Sequence, residues 1–286
     1  MFGTGVTNEL INYRLATILT AGFVVLGAVI EGPKVMDTVG RFTNLTLSTA
    51  FLAVLSAAIT ITLMTFLKLP VSTSQAILGA IVGITISTGG WNAVPQDKLI
   101  KILLSWLFTP LGAMIISIAL FIVLAPIINR VRSFITFALI TKIGIVTAGC
   151  YGAYTLGANN VANVTGAFVG TDLIEPLGGA LLGGIAIGVG ALTYSRGVMI
   201  SVGKRIFPLG SFSAFVTVLA AAITLQVFTE LRVPVSNSQA IVGAIAGIGL
   251  LRGTRAINKR MLFSIFGGWF ATPVVAALLS FFLHVF

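Results

Sequence analysis

The chain has 286 residues, 57% of them hydrophobic and only 8% charged, with a mean hydropathy of +1.09. That is too little polar surface to cover a water-soluble domain of this size, so the composition points to a polytopic membrane protein. The formal net charge of +10 sits in short basic stretches between apolar runs, which argues against nucleic acid as a partner, and the single cysteine, Cys150, excludes disulfide staples.

Apolar runs near bilayer length occupy about 15–30, 46–67, 71–88, 100–126, 134–156, 173–195, 212–230, 235–251 and 262–285. Their interiors hold hardly any Lys, Arg, Asp or Glu, so most read as membrane-spanning helices. His284 reads as an interfacial helix end rather than a catalytic group. Three intervening segments are basic and carry no acid: 127–134 with Arg130 and Arg132, 196–211 with Arg196, Lys204 and Arg205, and 252–261 with Arg252, Arg255, Lys259 and Arg260. Segments 31–45 and 89–99 set Lys34, Arg41 and Lys98 against Glu31, Asp37 and Asp97. The positive-inside rule places the first three in the cytoplasm and the last two outside.

The segment Pro70–Gly83, PVSTSQAILGAIVG, returns at Pro234–Gly247 as PVSNSQAIVGAIAG, with eleven of fourteen positions identical. The duplication extends beyond it. At an offset of 163, Leu10-Ile11 meet Leu173-Ile174, Gly27-Ala28 meet Gly190-Ala191, and Val35-Met36 meet Val198-Met199. Gly40-Arg41 likewise meet Gly203-Lys204, and Trp106, Thr109 and Pro110 meet Trp269, Thr272 and Pro273. The PVS motif sits at 164. Segments 31–45 and 196–211 are therefore repeat mates assigned to opposite faces, which predicts inverted topology; the stretch around 157–172 must then dip in and return, or leave a crossing incomplete. The expected architecture is an all-α polytopic membrane protein of two inverted-topology repeats with discontinuous or re-entrant helices. The first repeat is 1–126, the second 143–286, and 127–142 supplies a basic connector and the start of the next helix. Met1–Gly3 corresponds to Val164–Gly166, so the first copy lacks a mate for about 143–163, and an upstream apolar segment ending in an Asn-rich motif is expected.

Pro70 and Pro234 each precede an apolar helix, with Ser72 and Ser236 as predicted N-caps. The first N–H groups of each helix, the positive end of its dipole, and the hydroxyls of Ser72, Thr73, Ser74, Ser236 and Ser238 make a natural anion nest. Gln75, Asn237 and Gln239 add amides. Gly79, Gly83, Gly243 and Gly247 permit close helix approach. In GANNVAN, at Gly157–Asn163, the carboxamides of Asn159, Asn160 and Asn163 are costly in lipid unless they face a cavity, a broken helix or a ligand. Gly157 and Gly166 allow unwound backbone whose carbonyls, with these amides, are candidate ligands for Na⁺. There is no paired carboxylate, no His/Cys cluster and no nucleophile–base arrangement, so an enzyme is not expected. An anion channel lined by the same dipoles stays open as an alternative.

GANNVANVTGAFVG and the PVSTSQ/PVSNSQ pair resemble the signature segments of the PiT family of inorganic phosphate transporters, which includes sulfate permeases, and MFGTGV resembles the tail of a first such signature. The resemblance spans the chain in order. It implies an inverted-repeat secondary carrier of the plasma membrane, with phosphate at the pseudo-symmetric centre, Na⁺ or H⁺ as coupling ion and no other cofactor; a homodimer is a candidate assembly. Two departures bear on substrate. The family's acidic residue is Asn160 here, and its motif histidine is Gln75 and Gln239. Protonated phosphate carries O–H donors and gains from a buried acceptor, whereas sulfate only accepts, so loss of the carboxylate keeps sulfate in play.

Overall fold

The computed structural model describes residues 2–66, 71–196, 209–252 and 259–286, and their side chains except those of 4, 252 and 259–264. Pro70, Val198, Met199, Gly203, Lys204, Arg205 and Arg255 lie outside the described residues. Among the described residues all regular structure is helical. Helices α1 (Gly3–Thr7), α2 (Tyr13–Gly40), α3 (Leu47–Phe66) and α4 (Thr73–Gly89) precede a 3-10 turn at Trp91–Ala93. Then come α5 (Gln96–Ile128), α6 (Phe134–Asn160), α7 (Ala162–Val169), α8 (Pro176–Thr193), α9 (Ser211–Glu230), α10 (Asn237–Arg252) and α11 (Lys259–Val285). Their starts follow local chemistry. Asn12 Oδ1 accepts from Leu15 N (2.8 Å) to cap α2, Ser133 Oγ accepts from Thr136 N (3.3 Å) to cap α6, and Pro176 opens α8 at its first turn.

Among the described residues, seven helical stretches are long and apolar enough to cross a membrane, with α6 and α7 counted as one. Two of the apolar runs are not among them. The runs at 71–88 and 235–251, which carry the duplicated motif, form α4 and α10, of 17 and 16 residues. At about 1.5 Å per residue, the described residues of each span less than a bilayer core about 30 Å thick. A third discontinuity separates α6 from α7. There Val164 N bonds to Val161 O (3.0 Å), a tighter turn than the α pattern, at the centre of GANNVAN.

The duplicated helices pack across the halves. A Cβ on Gly79 would overlap the Pro273 carbonyl, and one on Gly83 the Ala277 carbonyl, so α4 lies parallel against α11 with no room for a side chain. The same holds for Gly243 on Pro110 and Gly247 on Ser117 and Met114, which seats α10 on α5. Ser280 Oγ donates to Ala80 O (2.8 Å), adding a polar tie between α4 and α11. These contacts exchange under the repeat register, in agreement with two inverted repeats. One difference breaks the symmetry. Helix α6 packs along α9, and 67% of α9 is buried against 33% of its repeat mate α3. Along α3, Leu47, Phe51, Leu55, Ile59, Leu63 and Phe66 face outward as an apolar stripe suited to lipid.

Candidate functional site

The starts of α4 and α10 meet. Ser72 Oγ accepts from Gln75 N (3.3 Å) and Ser236 Oγ from Gln239 N (3.4 Å), so both serines are N-caps. Beyond the caps, Ser74 Oγ donates to Val235 O (2.9 Å) and Ser238 Oγ donates to Val71 O (3.2 Å). Ser74 and Ser238, like Val71 and Val235, are repeat mates at 164, so each helix start is tied to the backbone leading into the other, and the pseudo-two-fold passes between them. A third bond, Ser236 Oγ to Ser238 Oγ at 2.8 Å, closes the second start on itself. Two positive dipole ends, each worth roughly half an elementary charge, are thereby brought to one place. None of the eleven candidate side chains is charged.

The break between α6 and α7 supplies the amides. Asn163 Nδ2 donates to Ser74 Oγ (3.0 Å), Asn160 Oδ1 (3.0 Å) and Thr73 Oγ1 (3.3 Å), and Thr73 Oγ1 also donates to Asn160 Oδ1 (3.3 Å). The structure therefore joins Asn160 and Asn163 directly to the first helix start. Asn159 does something else. It is fully buried, its Nδ2 donates to Thr229 Oγ1 (3.1 Å) and Val233 O (3.0 Å), and its Oδ1 accepts from Val235 N (2.9 Å). Its amide is occupied by the chain leading into α10, which makes it a strut under the second start rather than a free ligand. Sequence reasoning had no means to separate these three asparagines, because their partners are up to 90 residues away.

Several buried polar atoms of the site have no protein partner: Gln75 Oε1, Gln239 Oε1, Asn160 Nδ2, Asn163 Oδ1 and Asn237 Oδ1. The indole Nε1 atoms of Trp106 and Trp269 are likewise buried without a protein partner. The parallel packing of Gly79 on Pro273 and Gly83 on Ala277 sets Trp269 at the level of Gln75, and the mate register sets Trp106 at the level of Gln239. Pro110 and Pro273 also deprive the Trp106 and Trp269 carbonyls of their helical donor. The repeat alignment shows these tryptophans as a pair, and the packing of the helices sets their level. Access to the cluster is one-sided. Thr73 is exposed, Asn237 is half-buried, and Ser72, Ser74, Gln75, Ser236, Gln239, Asn160 and Asn163 are buried. A shallow depression of about 670 Å³ lined by Thr46, Leu47, Ser48, Phe51 and Phe168 is mostly apolar and contains none of these groups.

Compared with known proteins, the sequence matches the model of a phosphate transporter family over residues 1–142 and 129–280. The chain belongs to the phosphate transporter family. Within that family it is 28% identical over 285 residues to a protein named as a phosphate permease of Methanocaldococcus jannaschii, covering 99% of this chain and 89% of the relative. It is 27% identical over 273 residues to a sulfate permease of Bacillus subtilis, covering 94% of this chain and 76% of the relative. A solved sodium-dependent phosphate transporter superposes with a TM-score of 0.84 at 22% identity, covering 99% of this chain and 93% of that one, which establishes the transporter's fold for it. Members of this family are permeases, not enzymes, and the chain is an integral multi-pass membrane protein.

Proposed function

We propose that the chain is a secondary carrier of inorganic phosphate across the plasma membrane, coupled to Na⁺, with the anion held between the starts of α4 and α10. The observation that carries this reading is the reciprocal pair Ser74–Val235 and Ser238–Val71, which brings two capped helix N-termini together. A helix start offers unpaired N–H groups and positive potential, and an oxyanion needs both. Ser72, Thr73, Ser74, Ser236, Asn237 and Ser238 supply the hydroxyl and amide donors, and Gln75 and Gln239 line the floor. Asn160 and Asn163 bound the site from the break, and Asn159 positions the second start without contacting the anion.

The unpartnered Asn163 Oδ1, Asn237 Oδ1, Gln75 Oε1 and Gln239 Oε1 are acceptors. They suit a hard cation, which takes oxygen ligands, and they suit the O–H of a protonated phosphate. The relative named as a phosphate permease and the sodium-dependent neighbour support this assignment. Sulfate is the second reading, favoured by one observation: Asn160 places an amide where the family has a carboxylate, and a sulfate permease is among the relatives. Uptake of radiolabelled phosphate and sulfate into proteoliposomes under imposed Na⁺ or H⁺ gradients distinguishes these readings. Accumulation of phosphate above the outside concentration only with inward Na⁺ supports the proposal. Equilibration without accumulation would make the protein a channel, and sulfate-selective uptake would make it a sulfate carrier.

A further inference from the structure

A clasp of polar and charged side chains joins α2 of the first repeat to α6 and α9 of the second. On α2, Glu31 Oε1 accepts from Tyr154 Oη of α6 (2.7 Å) and Glu31 Oε2 from Gln226 Nε2 of α9 (2.8 Å), and the Glu31 side chain is only 15% exposed. One turn on, Lys34 Nζ lies 3.5 Å from Glu31 Oε2 and donates to Glu230 Oε1 and Oε2 at 2.9 and 3.1 Å. Glu230 ends α9, and two residues later the chain turns at Arg232 with φ of 58°. Thr38 Oγ1, also on α2, donates to the Arg232 carbonyl at 2.6 Å. Asn159 then holds Val233 and Val235, and Ser236 caps α10. The clasp thus grips the connector that delivers the second helix start.

The first half has no equivalent among the described residues. At offset 164, Gln226 and Glu230 correspond to Thr62 and Phe66; Thr62 Oγ1 bonds only to Ala58 O of its own helix (2.8 Å), and Phe66 is 80% exposed. At offset 163 the mate of Glu31 is Tyr194, which is 89% exposed. Among the described residues the two helix starts also differ in exposure: Thr73 is open and its mate Asn237 is half-buried.

We propose that Lys34 is a positioning residue for transport: its ion pair with Glu230 holds the second helix start closed over the anion site and parts when the site opens on that side. The inference rests on the carrier reading above. A carrier must close one route while the other is open, and an asymmetric contact on symmetric halves is a means of doing so. The Lys34 and Glu230 side chains are 37% and 56% exposed. Exposed ion pairs contribute little to stability, which suits a contact that breaks in every cycle. Glu31, fixed by Tyr154 and Gln226 as well, is the post to which Lys34 returns.

The test compares access with transport. In a Cys150→Ser, Asn237→Cys background, labelling by a membrane-impermeant thiol reagent is timed from each face in proteoliposomes, with and without Lys34→Gln. Loss of an exposed ion pair should speed labelling about two- to fivefold, and only from the face that holds the end of α9. In the chain with native Cys150 and Asn237, Lys34→Gln should lower maximal uptake several-fold with little change in KM. The exchange Lys34→Glu with Glu230→Lys re-forms the pair but sets a carboxylate one turn from Glu31, so it should restore slow labelling. Unchanged labelling would overturn the proposal, as would fast labelling that the exchange fails to slow. The labelling needs no transport, so absence of anion uptake in the parent chain would sink the carrier reading separately.

Discussion

Replacing Asn159 with alanine separates support of the site from contact with the ligand. Asn159 is fully buried and makes three bonds at 2.9 to 3.1 Å, one to Thr229 at the end of α9 and two to Val233 and Val235 in the connector before α10. Thr229 keeps its own bond to Leu225 O (2.9 Å) when the amide is removed. The Val233 carbonyl and the Val235 N–H do not, and each buried backbone group left unpaired costs about 1–3 kcal/mol. Asn159→Ala should therefore destabilise the protein by roughly 2–6 kcal/mol if the connector cannot relax. Asn163→Ala should cost less stability, because Ser74 keeps its bond to Val235 O and Thr73 is exposed, yet it should weaken anion uptake more for a given loss of stability. The assay is the temperature at which half the detergent-purified protein is lost from the monodisperse peak, set beside KM for phosphate in proteoliposomes. Wild-type stability for Asn159→Ala, or a larger stability loss for Asn163→Ala, would refute the division between strut and ligand.

Asn160→Asp should sharpen Na⁺ dependence and favour phosphate over sulfate; Asn160 Nδ2 has no partner to lose, while Thr73 Oγ1 and Asn163 Nδ2 stand ready to donate to a carboxylate. The ratio of phosphate to sulfate uptake across a Na⁺ titration checks it. Gly79→Val and Gly243→Val should each overpack a helix pair and destabilise by about 1–3 kcal/mol or more, whereas Gly112→Ala, which has open space, should change little in the same thermal assay. Trp106→Phe and Trp269→Phe each remove a buried N–H with no protein partner and shrink a packed side chain, so each should cost some stability through the cavity left, and a raised KM for the anion would place the indole at the site. A stability loss at unchanged KM would remove the indoles from the site.

Much of this was legible in the sequence because the duplication is local and strong. The motif pair identified both capped starts, Ser72 and Ser236, and the glycines that pack α4 and α10. Three asparagines in one short stretch mark a single tightened turn, not the unwound backbone expected at Gly157 and Gly166, whose carbonyls accept from Val161 N (3.1 Å) and Gly170 N (3.0 Å). The sequence did not reveal that the described helices of the two motif-bearing runs span less than a bilayer core, since hydropathy alone cannot tell a 17-residue helix from a span. It also could not assign Asn159 to the connector or Trp269 to the level of Gln75, because both depend on contacts across the halves. The Glu31–Lys34–Glu230 clasp was hidden for a different reason. Glu31 and Lys34 read as part of a charge-balanced segment and nothing in the sequence ties Glu230 to them; their meeting on α2 and α9 is set by tertiary packing.

The central claim is that two repeated helix starts build one anion site, and equilibrium binding tests it most directly. Radiolabelled phosphate should saturate purified protein at one anion per chain. Ser72→Ala and Ser236→Ala should each weaken that same site by about one to two decades, the loss of one hydrogen bond to a charged ligand at roughly 1.5–3 kcal/mol. Two independent sites, or affinity unchanged by both substitutions in properly folded protein, would contradict the account.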